Sequence, residues 1–196
     1  AIYYSTIKCQ IREISLKNKP PEFISASPKA TVPVLLKEDL SVIEESLDIV
    51  KWILGQSDPS RLLIPLQDKN EDVDYFISLF DNKFKFHLDR YKYSSRYDVT
   101  QRQKHRDSAS EILKLIDDKI TENGFIYGNK VSVYELCILP LVRQFMIADP
   151  RWFEEHFKLE KVKKSLQGFV DSHAFKVTMK KYDEWINDKN KIQYFP

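Results

Sequence analysis

A chain of 196 residues with 42% hydrophobic and 31% charged residues and only four glycines reads as a folded, helix-rich protein, long enough to bury a substantial core in one large domain or two small ones. Its net charge of +2 gives no field strong enough to select nucleic acid or an anionic membrane, so neither is expected as a partner. No apolar run approaches the ~20 residues that span a bilayer, no signal-peptide pattern stands at the start, and two cysteines are too few for a disulfide framework or a zinc site; a cytoplasmic protein without a metal is expected.

Ala1 to Ile7 reads as the tail of a helix, and Lys8 to Ile14 follows as a half-buried strand with Cys9 and Ile11 on one face. Lys17 to Pro28 is a polar loop with two adjacent prolines, broken by a short helical turn at Glu22-Phe23-Ile24, and it leaves Lys19 free to reach a ligand. Cys9 in its strand pattern and Cys137 in the run Leu136-Cys137-Ile138-Leu139 read as small buried hydrophobes rather than nucleophiles.

The most informative stretch is Thr31-Val32-Pro33-Val34-Leu35. A proline donates nothing to a ladder, so Pro33 belongs at the head of a strand, where an X-Pro bond also adopts the cis form used in tight turns. Val34-Leu35-Leu36, a charged turn at Lys37-Glu38-Asp39 and Ser41-Val42-Ile43 then read as an antiparallel hairpin. Ser46 precedes Leu47, Val50 and Leu54 at helical spacing, which predicts a helix with Ser46 as N-cap and Gly55 as its stop. A helix N-terminus suits a bound carboxylate, and Glu45 beside it can accept from an ammonium group. The N–H and C=O of Val32, turned outward at Pro33, can pair with a peptide lying like an extra strand. Together these features describe a cradle for a small peptide with a free α-amino acid end.

Gln56 to Asp68 contains Asp58-Pro59-Ser60 and Ile64-Pro65 without any period and reads as a linker. Long helical patterns follow: Val73, Phe76, Ile77, Phe80, Phe84 and Leu88 keep one face, and Ile112, Leu115, Ile116 and Ile120 another. The basic run Arg102, Lys104, His105 and Arg106 is flanked by acids and reads as a solvated face. Ser132-Val133-Tyr134-Glu135 is a capping box opening a helix from Val133 to Met146, apolar almost all round, with a kink expected at Pro140. Helices are predicted from about Leu159 to Val170 and from about Ala174 to Trp185, the latter with a core-facing stripe of Phe175, Met179, Tyr182 and Trp185. His87, His105, His156 and His173 show no metal-ligand spacing.

In this order, the Val32-Pro33 turn, the Glu45-Ser46 pair and the later capping box resemble a cytosolic glutathione S-transferase, and Leu16-Lys17-Asn18-Lys19-Pro20 is similar to its omega-type, cysteine-using branch. The resemblance covers nearly the whole chain and departs at Glu135, where the family has Asp. It implies an α/β thioredoxin-like domain over 1–56 short of its first strand, a linker over 57–68 and an all-α helical domain over 69–196. It also implies glutathione as the bound substrate, held by Lys19, Val32, Pro33, Glu45 and Ser46. The second substrate, a small electrophile or disulfide, is expected between the domains, against Tyr75, Phe76, Leu79 and Phe80. The catalytic residue is expected upstream of Ala1, where the first strand meets its helix, and a homodimer is the implied assembly. The activity implied is glutathione-dependent thiol transfer, reduction or conjugation; the alternative is a non-catalytic regulator on the same fold, of the stringent-starvation type.

Overall fold

The computed structural model describes residues 1–68, 71–186 and 191–196. They form two compact units, Ala1–Ser60 with His173–Pro196, and Arg61–Ser172. This differs from the expected division into 1–56, a 57–68 linker and 69–196 in two places. The expected linker is anchored in the second unit: Leu62 is buried, its carbonyl accepts from the Val133 N–H at 3.0 Å, and Ile64–Gln67 forms a short helix, α4. The C-terminal segment belongs with the first unit because it ends in a strand paired there.

In the first unit, α1 (Ile2–Ser5) ends where Thr6 turns left-handed, and β1 (Cys9–Ile11) follows. Helix α2 (Pro21–Ala26) starts with Pro21 in its first turn, where the missing N–H costs nothing. β2 (Leu35–Leu36) and β3 (Val42–Ile43) make the predicted hairpin, with Leu35 opposite Ile43 and Leu36 opposite Val42. β2 begins one residue later than the sequence suggests. Helix α3 (Ser46–Gln56) packs against α1.

The strand at β1 finds an antiparallel partner in β4 (Gln193–Phe195), Cys9 facing Phe195 and Ile11 facing Gln193. The predicted helix over 174–185 is therefore shorter than expected: α11 spans His173–Thr178, and the chain then extends along β1. Glu184 bridges Glu13, and the Trp185 N–H donates to the Glu13 carbonyl at 2.6 Å. The Arg12 guanidinium lies 5.2 Å from the Trp185 ring and the Lys8 ammonium 4.4 Å from the Tyr194 ring. Trp185 thus serves the strand edge rather than a helix stripe, and Met179 is half exposed.

The second unit is helical: α5 (Glu71–Leu79), one π turn (Phe80–Phe84), α6 (Lys85–Lys92), α7 (Arg102–Asp117), α8 (Val133–Ala148), α9 (Pro150–His156) and α10 (Glu160–Asp171). The π turn follows from the spacing of apolar positions. Phe80, Phe84 and Leu88 are all buried, yet on an α-helix each four-residue step drifts by about 40°. One widened turn absorbs the drift and keeps these side chains on one face. Ala109, Ile112, Leu113 and Ile116 form the buried face of α7, while Leu115, predicted on that face, is 44% exposed. Phe145 of α8 sits at the centre of an aromatic cluster with Phe84, Tyr91, Trp152, Phe153 and Phe157. Helix α8 runs through Pro140, which is exposed.

The start of α8 is fixed by a buried carboxylate. The Ser132 Oγ accepts from the Tyr134 N–H at 3.2 Å, and Glu135 reaches back to accept from the Ser132 N–H (2.7 Å), the Ser132 hydroxyl (2.8 Å) and the Ile126 N–H (2.6 Å). Burial pushes the Glu135 carboxyl above its ordinary range, while the bonds from Ile126 and Ser132 pull it back. Replacing Ser132 by Ala is expected to cost about 1 kcal/mol, read as a lower urea midpoint at unchanged slope. Because the native state binds the Glu135 proton more tightly than the unfolded chain does, wild type should lose stability relative to Glu135→Gln as pH rises from about 4 through the raised native value. Parallel curves for the two proteins would contradict this.

Candidate functional site

The hairpin delivers the two stretches singled out in the sequence to one place. Its register sets Leu35 against Ile43, so 32–33, entering β2, and 45–46, leaving β3, lie at the same end. The Val32-Pro33 bond is cis. Val32 is 48% exposed, and among the described residues neither its N–H nor its C=O has a hydrogen-bond partner. Both groups are open to a peptide running alongside.

At the head of α3 the roles shift by one residue from the prediction. Glu45, extended at φ −98° and ψ 133°, is the N-cap; its carbonyl accepts from the Ile49 N–H at 3.0 Å. Ser46 is the first helical residue and caps nothing, and the helix continues past Gly55 to Gln56. Gly55 is not the stop because the Ser57 N–H still finds the Ile53 carbonyl. Neither Glu45 nor Ser46 spends its side chain on the helix end, and both are exposed. Lys19 sits half-buried in the loop just before Pro20, the N-cap of α2.

Three residues that the sequence reading passed over complete the constellation. Lys29 places its ammonium 3.2 Å from Glu45 and 3.5 Å from Glu44. Glu44 accepts from the hydroxyl of Ser27 at 2.5 Å, and Ser27 is fully buried. The hydrogen bond to Glu45, then the charges of Glu44 and Glu45, raise the Lys29 pKa above its ordinary value. The available signal was the adjacent pair Glu44-Glu45, two like charges that call for a cation nearby. The loop carrying Lys29 is closed by the Ala30 N–H donating to the Ser27 carbonyl at 2.8 Å, with Ala30 in the left-handed region at φ 52°.

The residues expected to meet a second substrate divide by helical periodicity. Phe76 and Phe80 are 5% and 1% exposed and pack in the core of the second unit. Tyr75 is 56% exposed and Leu79 half-buried, so these two have surface to offer. The thiol of Cys9 is half-buried, donates to the Ile7 carbonyl at 3.8 Å, and is pushed up in pKa by burial, the opposite of an activated nucleophile. Among the described residues no group of three or more His, Cys, Asp or Glu side chains is arranged to hold a metal ion, and no helix is long and apolar enough to cross a membrane.

Residues 1–61 match the family model described as glutathione S-transferase, N-terminal domain. Glutathione transferase Omega 3C from Trametes versicolor superposes with a TM-score of 0.76 over 93% of this chain and 82% of its own, at 16% identity. The chain has the glutathione transferase fold. A glutathione S-transferase from Rhodospirillum rubrum gives a TM-score of 0.68 at 18% identity, covering 86% of this chain and 79% of its own. A glutathione transferase from Pseudomonas putida, solved with one glutathione disulfide bound per subunit, gives 0.66 at 16% identity, covering 80% and 72%. No curated protein sequence matches the chain.

The left-handed Ala30 offers a check on the loop that positions Lys29. A Cβ in that conformation is strained by about 1 kcal/mol relative to glycine, so Ala30→Gly is expected to raise the unfolding free energy by up to that amount, and Ala30→Val to lower it. Chemical denaturation of the three proteins reads the order directly.

Proposed function

We propose that this chain is a glutathione-binding member of the glutathione S-transferase family and that it uses glutathione in thiol transfer, reduction or conjugation of small electrophiles. The observation that carries the proposal is the meeting, at one end of the β2–β3 hairpin, of an unpaired Val32 backbone with the exposed Glu45-Ser46 head of α3, inside the segment that matches the family's N-terminal domain. That set is complementary to a peptide with a free amino-acid end.

In this reading Val32 pairs through its N–H and C=O with the cysteinyl backbone of glutathione, and Pro33 shapes the turn that presents them. The first N–H groups of α3 and the Ser46 hydroxyl receive the γ-glutamyl carboxylate. Glu45 accepts from the γ-glutamyl ammonium, and Lys29, which holds Glu45 in the free protein, retains Glu44 as its partner when the ligand enters. Lys19 meets the carboxylate at the other end of the tripeptide.

The resemblance of Leu16-Lys17-Asn18-Lys19-Pro20 to the omega-type, cysteine-using branch favours disulfide chemistry. A thiolate attacks one sulfur of a mixed disulfide, a new S–S bond forms, and the other sulfur leaves as thiolate to take up a proton. Burial raises the pKa of the Cys9 thiol, which does not suit Cys9 to supply that thiolate. Tyr75 and Leu79 are the members of the predicted second-substrate set with surface to meet an electrophile.

Isothermal titration with reduced glutathione tests the binding set. Wild type should release heat with a measurable Kd. Glu45→Ala and Ser46→Ala should each weaken binding about tenfold or more, equivalent to at least about 1.4 kcal/mol, while circular dichroism stays unchanged. Absence of heat with wild type, or unaltered affinity in both variants, would sink the assignment.

A further inference from the structure

Two histidines far apart in sequence meet at the packed faces of α6 and α7. The Nδ1 atoms of His87 and His105 are 2.9 Å apart, with both rings half-buried. The ring centroids are 5.1 Å apart, so the rings face each other nearly head-on, nitrogen to nitrogen. A hydrogen bond in this geometry needs one proton between the two nitrogens, one ring donating and the other accepting. Phe86 packs edge-on against both rings, at 5.1 Å from His87 and 5.8 Å from His105. The Arg90 guanidinium lies over Phe86 at 3.5 Å and over Tyr97 at 4.7 Å.

The charged groups acting on the pair come from each neighbouring segment: Lys83 on the π turn, Arg90 on α6, Lys104 on α7 and Asp98 in the connection between the two helices. Three of the four are cations. A metal ion would meet that repulsion with two protein ligands, and among the described residues no third side chain completes a coordination set. A shared proton uses the same two nitrogens and asks for nothing else.

We propose that His87 and His105 form an acid-sensitive clasp between α6 and α7, closed while one proton lies between their facing nitrogens and opened when both nitrogens carry one. A first added proton is compatible with closure, because it enters at an outer Nε2 and leaves the inner bond in place, now charge-assisted. A second proton puts N–H against N–H and sets two cations face to face. The pair therefore titrates as a unit, in two separated steps.

The local field points the same way. Burial is the largest influence on each ring and lowers its proton affinity. For His87 the further depression comes from His105, Lys83 and Arg90; for His105 it comes from Arg90 and Lys104, with Asp98 opposing. The surroundings thus lower the proton affinity of both rings from the ordinary value of about 6.5, and it is the second proton that the closed pair resists. Stability from the closed pair is present above that pH and is lost as pH falls through the second step. Opening becomes up to tenfold more favourable per pH unit for each proton taken up.

Hydrogen exchange of the full chain, followed peptide by peptide at pH 7.5 and 5.5 and corrected for intrinsic rates, tests the clasp. Peptides from α6 and α7 in wild type should lose about tenfold more protection than those from α8. The double variant His87→Asn with His105→Asn, whose amides hydrogen-bond but do not titrate, should show no such difference. Should that variant fold poorly, imidazole NMR of wild type decides alone: two separated steps support the clasp. Independent titration of both rings near the ordinary value, or equal loss of protection in the variant, overturns it. So does selective protection of the wild-type α6 and α7 peptides by added Zn2+ at pH 7.5, which would mark a metal site instead.

Discussion

The antiparallel register of β2 and β3 determines which groups in the first unit can act together. Leu35 against Ile43 is a local pairing over a short turn, closed by the Lys37 N–H donating to the Ser41 carbonyl and tightened by Asp39, which accepts from the Ser41 N–H and hydroxyl. Side chains alternate across a strand, so a one-residue slip would turn every one to the other face. It would also move Val32 and the head of α3 out of step. The placement of Val32 and the head of α3 therefore depends on a few backbone bonds whose position is set by turn chemistry, while the apolar residues of the hairpin are half-buried or exposed.

Given that register, the charges at the head of α3 define what this place is complementary to. The head of α3 carries unpaired N–H groups and a positive end of the helix dipole, yet its cap residue is an acid that makes no capping bond. A side chain left out of the cap is available for other work. In the free protein Glu45 is neutralised by Lys29, but both groups are exposed and such pairs are weak. In the proposed function, an ammonium group that replaces Lys29 at Glu45 breaks only this weak pair. Glu44, tied to the buried Ser27 hydroxyl, gives Lys29 a fixed second position, so the exchange leaves no cation unpaired. Both signs stand within one turn of chain, the complement of the zwitterionic end that the proposed function assigns to this place.

The parts legible in the sequence were those governed by neighbours along the chain. The hairpin was marked by a proline and a charged turn, and the capping box of α8 by Ser132 and Glu135 three residues apart. Ser46 was misread because a hydroxyl at a helix start looks the same whether it is N-cap or first helical residue; only the backbone conformation of Glu45 separates them. Periodicity likewise showed that Phe76 and Phe80 share an apolar face, without showing that the face is filled by the unit's own core. The π turn was missed, because Phe80, Phe84 and Leu88 read as one face of an unbroken helix. Long-range partners left no local trace: nothing in Trp185 announces Glu13, and nothing in His87 announces His105.

The two titrating features of the helical unit act in opposite directions, and this shapes how acid would affect it. Glu135, with its proton affinity raised by burial, stabilises the folded state relative to the unfolded one as pH falls; the histidine pair, with its affinity lowered, does the reverse. Their effects on global stability have opposite signs. They act at different places, because Glu135 fixes the start of α8 whereas the histidines join α6 to α7. Regions of a protein open with separate free energies when their contacts are separate. Mild acid would then loosen one helix pair while the capping box at the start of α8 stays in place, a redistribution of stability within the unit rather than its loss.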